Sequence, residues 1–136
     1  MTSPEELIKN KINIDNPPGN LGLVATDIAL NLYKSSKIFK SNKFYFQHIV
    51  KRISGPYDNL TVLDGLMYLS KGNIGLINLV YEFLDDFEGP IPVDSKTVNE
   101  AIKNNSFIHP IEGTEVKNFK SQIFLVYELS NELTRN

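Results

Sequence analysis

The stretch from Leu66 to Phe87, LMYLSKGNIGLINLVYEFLDDF, is the most strongly patterned part of the chain. Two apolar runs flank a short polar sequence that contains Gly72, Asn73 and Gly75. Glycine suits the left-handed position that ends a helix, and asparagine is a favoured residue at a helix start. The pattern predicts one helix that ends near Lys71, a hinge, and a second helix from Ile74 to Phe87. That second helix is apolar on nearly all sides, which is typical of a central core helix.

Further helices are indicated on both sides of this stretch. Ser3 and Pro4 form a favourable helix start, and apolar spacing predicts helix across Leu21–Ile53 in one piece or two, with a strand at 44–48 as the competing interpretation. Thr61 is expected to cap the helix before the hinge. After it, a short helix is predicted from Asp94 or Ser95 to about 104, and a last one over 115–133. Residues 89–92 contain two prolines and are predicted to be extended.

These elements predict a mainly α fold. It would be a compact single-domain helical bundle of about five to six helices, with a small extended or hairpin segment near 106–113. The domain would cover residues 1–136, with an N-terminal helix and Pro/Gly loop over 1–20, a basic helical segment over 21–55 and a helical core over 56–136. A chain of this length is the size of one ordinary domain and can bury a real hydrophobic core.

Composition narrows the classes of protein that are expected. The chain has no cysteine, which excludes disulfides and thiolate chemistry. No apolar run approaches the roughly 20 residues of a membrane span, and the acidic start does not resemble a signal peptide. We therefore expect a protein that is neither secreted by a signal peptide nor membrane-spanning.

Charge is unevenly distributed along the chain. Residues 28–57 contain six basic residues and no acid, whereas residues 82–115 contain eight acids and two lysines. The candidate interaction residues of this basic segment are Lys34, Lys37, Lys40, Lys43, Lys51 and Arg52. Lys34, Lys37, Lys40 and Lys43 are spaced three apart, which predicts a basic stripe along one side of a helix. The interleaved Phe39, Phe44 and Tyr45 could stack on bases if they are exposed. Such a face could track phosphates or dock on an acidic protein surface, including the acidic half of another copy.

Recognisable catalytic or metal-binding patterns are not found. His48 and His109 are the only histidines, so the usual zinc ligand sets cannot be assembled. His109 precedes Pro110 and is predicted to make a turn contact. The acids Asp85, Asp86 and Glu88 lack the spacing of a calcium loop and are interpreted as a solvated helix end. Glu82 and Asp86 are expected one turn apart on a helix, where the pair could raise a pKa, but they are interpreted as ordinary surface residues. We expect no enzyme activity, no cofactor, no metal and no small-molecule substrate.

One family resemblance is carried by two segments. Residues 68–75, YLSKGNIG, resemble an L-S-K-G-N-x-G motif of small uncharacterised proteins encoded by bacteriophages. Residues 120–127, KSQIFLVY, are similar to a G-S-Q-I segment of the same proteins. Ile74 stands where those proteins often have proline, and Lys120 replaces a glycine. The resemblance covers at most residues 60–133 and implies a phage origin, without an activity that can be transferred.

Two functions follow as hypotheses. The first is a non-catalytic structural or protein-interaction component of a phage particle or its assembly, which would bind itself or other virion or scaffold proteins. It would be located in the virion or in the host cytoplasm. The alternative is a nucleic-acid-binding accessory protein that uses the basic 34–52 segment.

Overall fold

A computed structural model of the chain describes residues 2–53 and 57–134. Within these residues the helices are α1 (Pro4–Asp15), α2 (Leu21–Phe39), α3 (Phe46–Arg52), α4 (Asn59–Leu69), α5 (Ser95–Asn104) and α6 (Asn131–Thr134). The strands are β1 (Lys43–Phe44), β2 (Ile77–Asp85), β3 (Gly89–Val93) and β4 (Ile123–Leu129). A 3₁₀ turn at Phe119–Ser121 precedes β4.

The fold combines helices with a four-stranded sheet, so the prediction of a mainly α bundle is wrong. The strand order is β1-β4-β2-β3, with β1 antiparallel to β4 and β2 antiparallel to β3. Residues 56–136, predicted to be a helical core, contain three of the strands. Residues 21–55 contain β1 between two helices, so the basic segment is not wholly helical either. The segment near 106–113 includes one antiparallel bridge, between Ile108 and Glu115.

The largest corrections concern the two most apolar segments. The predicted core helix at Ile74–Phe87 is mostly strand β2. The predicted last helix at Glu115–Leu133 is a 3₁₀ turn followed by β4, and only its last residues are helical, in α6. Both segments are rich in Ile, Val, Phe and Tyr, side chains that pack well on a pleated sheet. A short run that is apolar at most positions fits a buried strand as well as a buried helix.

Contacts divide the chain into two compact units, which are taken one at a time. The first comprises Met1–Asn78 and Tyr127–Asn136, and the second comprises Leu79–Val126. This division does not test the prediction that residues 1–136 form a single domain. The sequence Ser54-Gly55-Pro56 also predicts a chain break, and these three residues lie outside the described part of the chain.

Close packing of α2 against α4 organises the first unit. Gly65 of α4 is buried, and a β-carbon added there would lie 2.6 Å from Cδ1 of Ile28 and 3.2 Å from Cγ1 of Val24. The missing side chain therefore lets the two helices approach. Helix starts agree in part with the sequence: Ser3 caps α1 as predicted, whereas Asp58, rather than Thr61, caps α4 by accepting the Thr61 amide.

A separate aromatic cluster forms the core of the second unit. The ring of Phe107 lies between those of Phe83 and Phe119 in a chain of contacts. Its centroid is 5.1 Å from that of Phe83 and 5.8 Å from that of Phe119, and both pairs are tilted. Val93 of β3 and Val98 and Ala101 of α5 complete this core. Asp94 caps α5, one of the two caps that the sequence proposed. The Asp94 carboxylate accepts the Thr97 amide, and this hydrogen bond lowers the pKa of Asp94.

Prolines shape β3, which lies at one end of the strand order. Pro90 pairs with Leu84, and Pro92 pairs with Glu82, in the register of β2 and β3. Proline has no amide hydrogen, so these two residues cannot donate to a further strand. The extended conformation predicted for 89–92 is confirmed, and the outer edge of β3 is poorly suited to strand addition.

The contact at Gly65 gives a test of the helix packing. We expect Gly65→Ala to lower the free energy of unfolding by roughly 1–3 kcal/mol, because overpacking a tight core costs more than the helix propensity that alanine adds. Ile28→Val removes the Cδ1 atom that the new methyl group would meet. Chemical denaturation should then show that the double variant loses less stability than the sum of the losses of the two single variants. Strictly additive effects would contradict this packing.

Candidate functional site

The predicted basic residues all lie in the first unit, but not on one helix. Lys34 and Lys37 are exposed on α2, which ends at Phe39. Lys40 follows in the left-handed conformation and turns the chain away from the helix axis. Lys43 lies on β1, opposite Glu128 of β4. The continuous helical stripe is therefore wrong, because the helix ends in the middle of it.

Arg52, at the end of α3, is held against aromatic rings. Its guanidinium lies 4.5 Å from the ring centroid of Phe39 and 5.9 Å from that of Phe44. Phe44 is buried, and the guanidinium lies over the ring of Phe39. Cation–π contacts of this kind are favourable. These two rings are thus engaged within the unit, which argues against the predicted stacking of Phe44 on bases.

A cleft beside two of the lysines has a volume of about 550 Å³. Its lining comprises Pro4, Tyr33, Ser36, Lys37, Lys40, Ser41, Asn42, Leu133 and Thr134. A hydrogen bond with Tyr33 raises the pKa of Lys37, whose amine lies 4.9 Å from the centroid of the Tyr33 ring. The cleft is open and mixed in polarity, and it gathers two of the six predicted interaction residues.

The predicted hinge is a fixed turn between a helix and a strand. Helix α4 already ends at Leu69, and the left-handed residue is Gly75 (φ 56°), so the predicted helix stop at Gly72 is wrong. Asn73 starts no helix, and its side-chain amide donates to Asp15 of α1 at 2.9 Å. The Asp15 carboxylate also accepts the Tyr68 hydroxyl at 2.7 Å. Burial, with this bond, raises the pKa of Tyr68 to about 12, so the hydroxyl remains a donor.

The acids and the second histidine meet in the second unit. Asp85 ends β2, and His109 lies in the loop after α5, with 2.6 Å between Asp85 Oδ1 and His109 Nε2. The His109 Nδ1 atom accepts the amides of Ile111 and Glu112 at 3.1 and 3.0 Å. A neutral imidazole has one donor and one acceptor nitrogen, so this arrangement assigns the proton to Nε2. The turn contact predicted for His109 is confirmed.

Asp85 fixes the neighbouring turn in the same way. Its Oδ2 atom accepts the amides of Phe87 and Glu88 at 3.0 and 2.8 Å. The bond from His109, followed by these amides, lowers the pKa of Asp85. The carboxylate therefore stabilises the fold above the ordinary aspartate pKa, and this contribution is lost as the pH falls through the lowered value. We call this arrangement of two side chains and four backbone amides the Asp–His clamp.

The Asp–His clamp holds two loops that expose large apolar side chains. Phe87, at the tip of the β2–β3 turn, is 91 % exposed, and Ile111, in the other loop, is 62 % exposed. Leu84 and Ile108 are also exposed. No lysine or arginine occurs in residues 82–95 or 104–116, which contain seven acids. We call Phe87 with its flanking Asp86 and Glu88 the acidic tip.

The predicted chemistry of the acids is also corrected. Glu82 and Asp86 were placed one helical turn apart, but Glu82 is buried on β2 and Asp86 is exposed in the turn that follows. Within residues 2–53 and 57–134 no group of three or more His, Asp or Glu side chains is arranged to hold a metal ion. His48, the other histidine, is exposed, and its ring makes a T-shaped contact with that of Tyr45, with 5.9 Å between the centroids.

Comparison of the chain with protein-family models, with curated proteins and with solved structures gives no match. The resemblance to phage proteins is therefore untested and remains a prediction. None of the helices that the structure describes has both the length and the apolar character needed to cross a membrane.

Sequence reasoning missed the Asp–His clamp because 24 residues separate its two side chains. One signal was present: a histidine just before a proline, in a loop where side chains commonly bond to nearby amides. The partner could not be inferred, because Asp85 was placed on a helix. Because Asp85 is instead the last residue of strand β2, its carboxylate can accept hydrogen bonds from the amides of the turn that follows.

Replacing His109 tests the clamp. His109→Phe keeps a ring of similar size but leaves Oδ1 of the partly buried Asp85 and the amides of Ile111 and Glu112 without their partner. Each unsatisfied group costs roughly 1–3 kcal/mol, so we expect a fall of at least about 2 kcal/mol in the free energy of unfolding. His48→Phe, at the exposed histidine, is the matched control and should change stability by less than about 0.5 kcal/mol. Equal effects of the two variants in urea denaturation would refute the clamp.

Proposed function

We propose that this chain is a non-catalytic protein-interaction component that binds its partner through the acidic tip. The observation that carries the proposal is Phe87, which is 91 % exposed on a turn whose backbone is held by Asp85. Aromatic side chains are enriched at the energetic centres of protein interfaces. An exposed phenylalanine on a fixed turn is suited to act as such an anchor.

Fixing the turn before binding favours association. A mobile loop loses conformational freedom when it binds, which costs affinity, and a preorganised loop avoids much of that cost. Four backbone amides of the two loops are already bonded to Asp85 and His109. The clamp therefore supports presentation of Phe87 and Ile111 in defined positions.

The clamp also argues for binding over catalysis. Both nitrogens of His109 are engaged, one as a donor to Asp85 and one as an acceptor of two amides. A general base needs a nitrogen within reach of a substrate proton. His109 offers none while the loop keeps this conformation, and it is buried. The absence of enzyme activity remains a prediction that this arrangement supports.

The setting of the interaction remains a separate prediction. A phage particle and a location in the virion or host cytoplasm were inferred from the resemblance alone. Binding through the acidic tip requires neither a phage particle nor that location. The proposal does keep the expectation that the partner is a protein.

A photo-crosslinking experiment tests the proposal. Replacing Phe87 with benzoylphenylalanine keeps an aromatic side chain at the tip and reports what lies against it. In an extract of the organism that encodes the chain, illumination should give one discrete protein adduct. Excess unmodified chain should compete for it, and a Phe87→Ser variant should not. The same substitution at Ile14, which is 85 % exposed on the first unit, is the control. No adduct at 87, or the same adducts at both positions, would refute the proposal.

A second candidate, nucleic-acid binding, rests on the exposed lysines of the first unit. Lys34, Lys37, Lys40 and Lys51 are exposed, and two of them line the 550 Å³ cleft. The proposal is weaker than the first, because Phe44 is buried and the basic residues are spread over two helices and a strand. The face retains phosphate-binding side chains but lacks the ordered stripe that was predicted.

Salt dependence decides whether this candidate holds. If the basic face binds single- or double-stranded DNA, the affinity should fall steeply with salt, because neutralised phosphates release counterions. Lys34→Glu, Lys37→Glu and Lys40→Glu together should abolish binding in a fluorescence anisotropy titration. A control triple variant of the second unit, Lys96→Glu, Lys103→Glu and Lys117→Glu, should retain it. Binding that persists in the first variant would contradict this candidate.

A further inference from the structure

The second unit contains an apolar cleft that the functions considered above do not use. It is lined by Tyr81 of β2, Val98 and Ile102 of α5, Phe119, Lys120 and Ile123, with a volume of about 360 Å³. Val98 and Phe119 are buried and form its floor, whereas Ile102 is 56 % exposed. Ligand pockets usually span about 300 to 1,000 Å³, so this cleft is of a size for one large side chain.

The cleft includes one lysine, whereas the acidic tip has two carboxylates. Among the described residues that line the cleft, Lys120 is the only charged one. Phe87 is an apolar side chain of suitable size, and Asp86 and Glu88 flank it. An aromatic group between two acids is complementary in shape and charge to an apolar cleft beside a lysine.

The cleft and the tip of one chain lie apart. Tyr81 and Asp85 are four residues apart on β2, a separation of about 13 Å along a strand. The Phe87 side chain is 91 % exposed, so it does not occupy the cleft of its own chain. Each copy therefore presents both the projecting Phe87 side chain and the apolar cleft.

We propose that the cleft receives Phe87 of a second copy of this chain, with Lys120 facing Asp86 or Glu88 of the incoming tip. This inference rests on the proposed function, because it takes the acidic tip as the binding element, and it names the partner. The tip and the cleft are different surfaces. Their pairing yields either a closed assembly, if the rotation between copies closes, or an open chain of copies.

The outer edge of β3 is unsuited to strand pairing, which favours contact between copies through side chains. Two copies that joined by adding strand to strand at β3 would need amide donors along its outer edge. Pro90 and Pro92 have none to offer. The aromatic side chain beside that strand remains available, and insertion of a side chain needs no free strand edge.

Association of the purified chain with itself is the first measurement. Sedimentation velocity across a wide range of concentrations should show reversible self-association of the wild-type chain. Phe87→Ala should weaken it about thirtyfold, the effect expected for loss of a central aromatic anchor. Ile14→Ala removes a side chain of nearly equal exposure from the first unit and should leave the association unchanged. A wild-type chain that stays monomeric throughout would overturn the inference.

Charge reversal separates this contact from others. Lys120→Glu places like charges at the contact and should weaken self-association at least about tenfold, as should the double variant Asp86→Lys and Glu88→Lys. In a mixture, the basic tip of the double variant can meet the acidic cleft of Lys120→Glu. The unchanged tip of Lys120→Glu can likewise meet the unchanged cleft of the double variant. We expect the mixture to associate as tightly as the wild-type chain. Misfolded variants could not regain binding on mixing, so rescue also controls for folding.

The possible outcomes distinguish the inference from the proposed function. Failure of the mixture to associate would overturn the inference. So would a loss of self-association in Lys34→Glu with none in Lys120→Glu, which would assign the tip to the basic face of the first unit. If the photo-crosslink at position 87 captures a different protein and self-association is absent, the proposed function stands and the second copy is excluded. A crosslink from position 87 to the peptide that contains Phe119 and Lys120 would support both.

Discussion

The bond between Asp85 and His109 determines the shape of the surface that we assign to binding. It joins the end of a strand to a loop 24 residues later, and each of its two side chains holds two amides of its own loop. A single interaction thus removes the freedom of two loops at once. This polar pair therefore holds the backbone that carries the exposed apolar side chains of both loops.

Local signals in the sequence predicted the parts of the fold that depend on neighbouring residues. The Ser3 and Asp94 caps, the extended 89–92 segment and the turn contact of His109 each involve residues at most four positions apart, and each is present. Strand β2 could not be separated from a helix in this way. Its apolar residues satisfy both patterns, and its pairing with β3 and its place in the sheet are set by distant parts of the chain.

The candidate site illustrates the same limit. The basic residues were found from composition, but their arrangement depended on a helix that ends at Phe39 and a chain that turns at Lys40. The acids of 85–88 were found as a charged segment and placed on a helix end. They lie in a strand-connecting turn, where Asp85 uses both of its oxygens within the fold. Charge was predictable, whereas the direction in which each charge points required the backbone.

The prolines of β3 connect the fold to the mode of association. A sheet edge beside an exposed aromatic side chain would normally invite uncontrolled strand pairing, and natural proteins commonly block such edges. Pro90 and Pro92 alternate along β3, so they remove donors from one side of the strand while the other side pairs with β2. The same short hairpin therefore blocks pairing through its backbone and presents Phe87 at its turn. In the association that we propose, selection at this hairpin rests on side-chain shape and charge, which is the kind of recognition that an apolar cleft beside one lysine can provide.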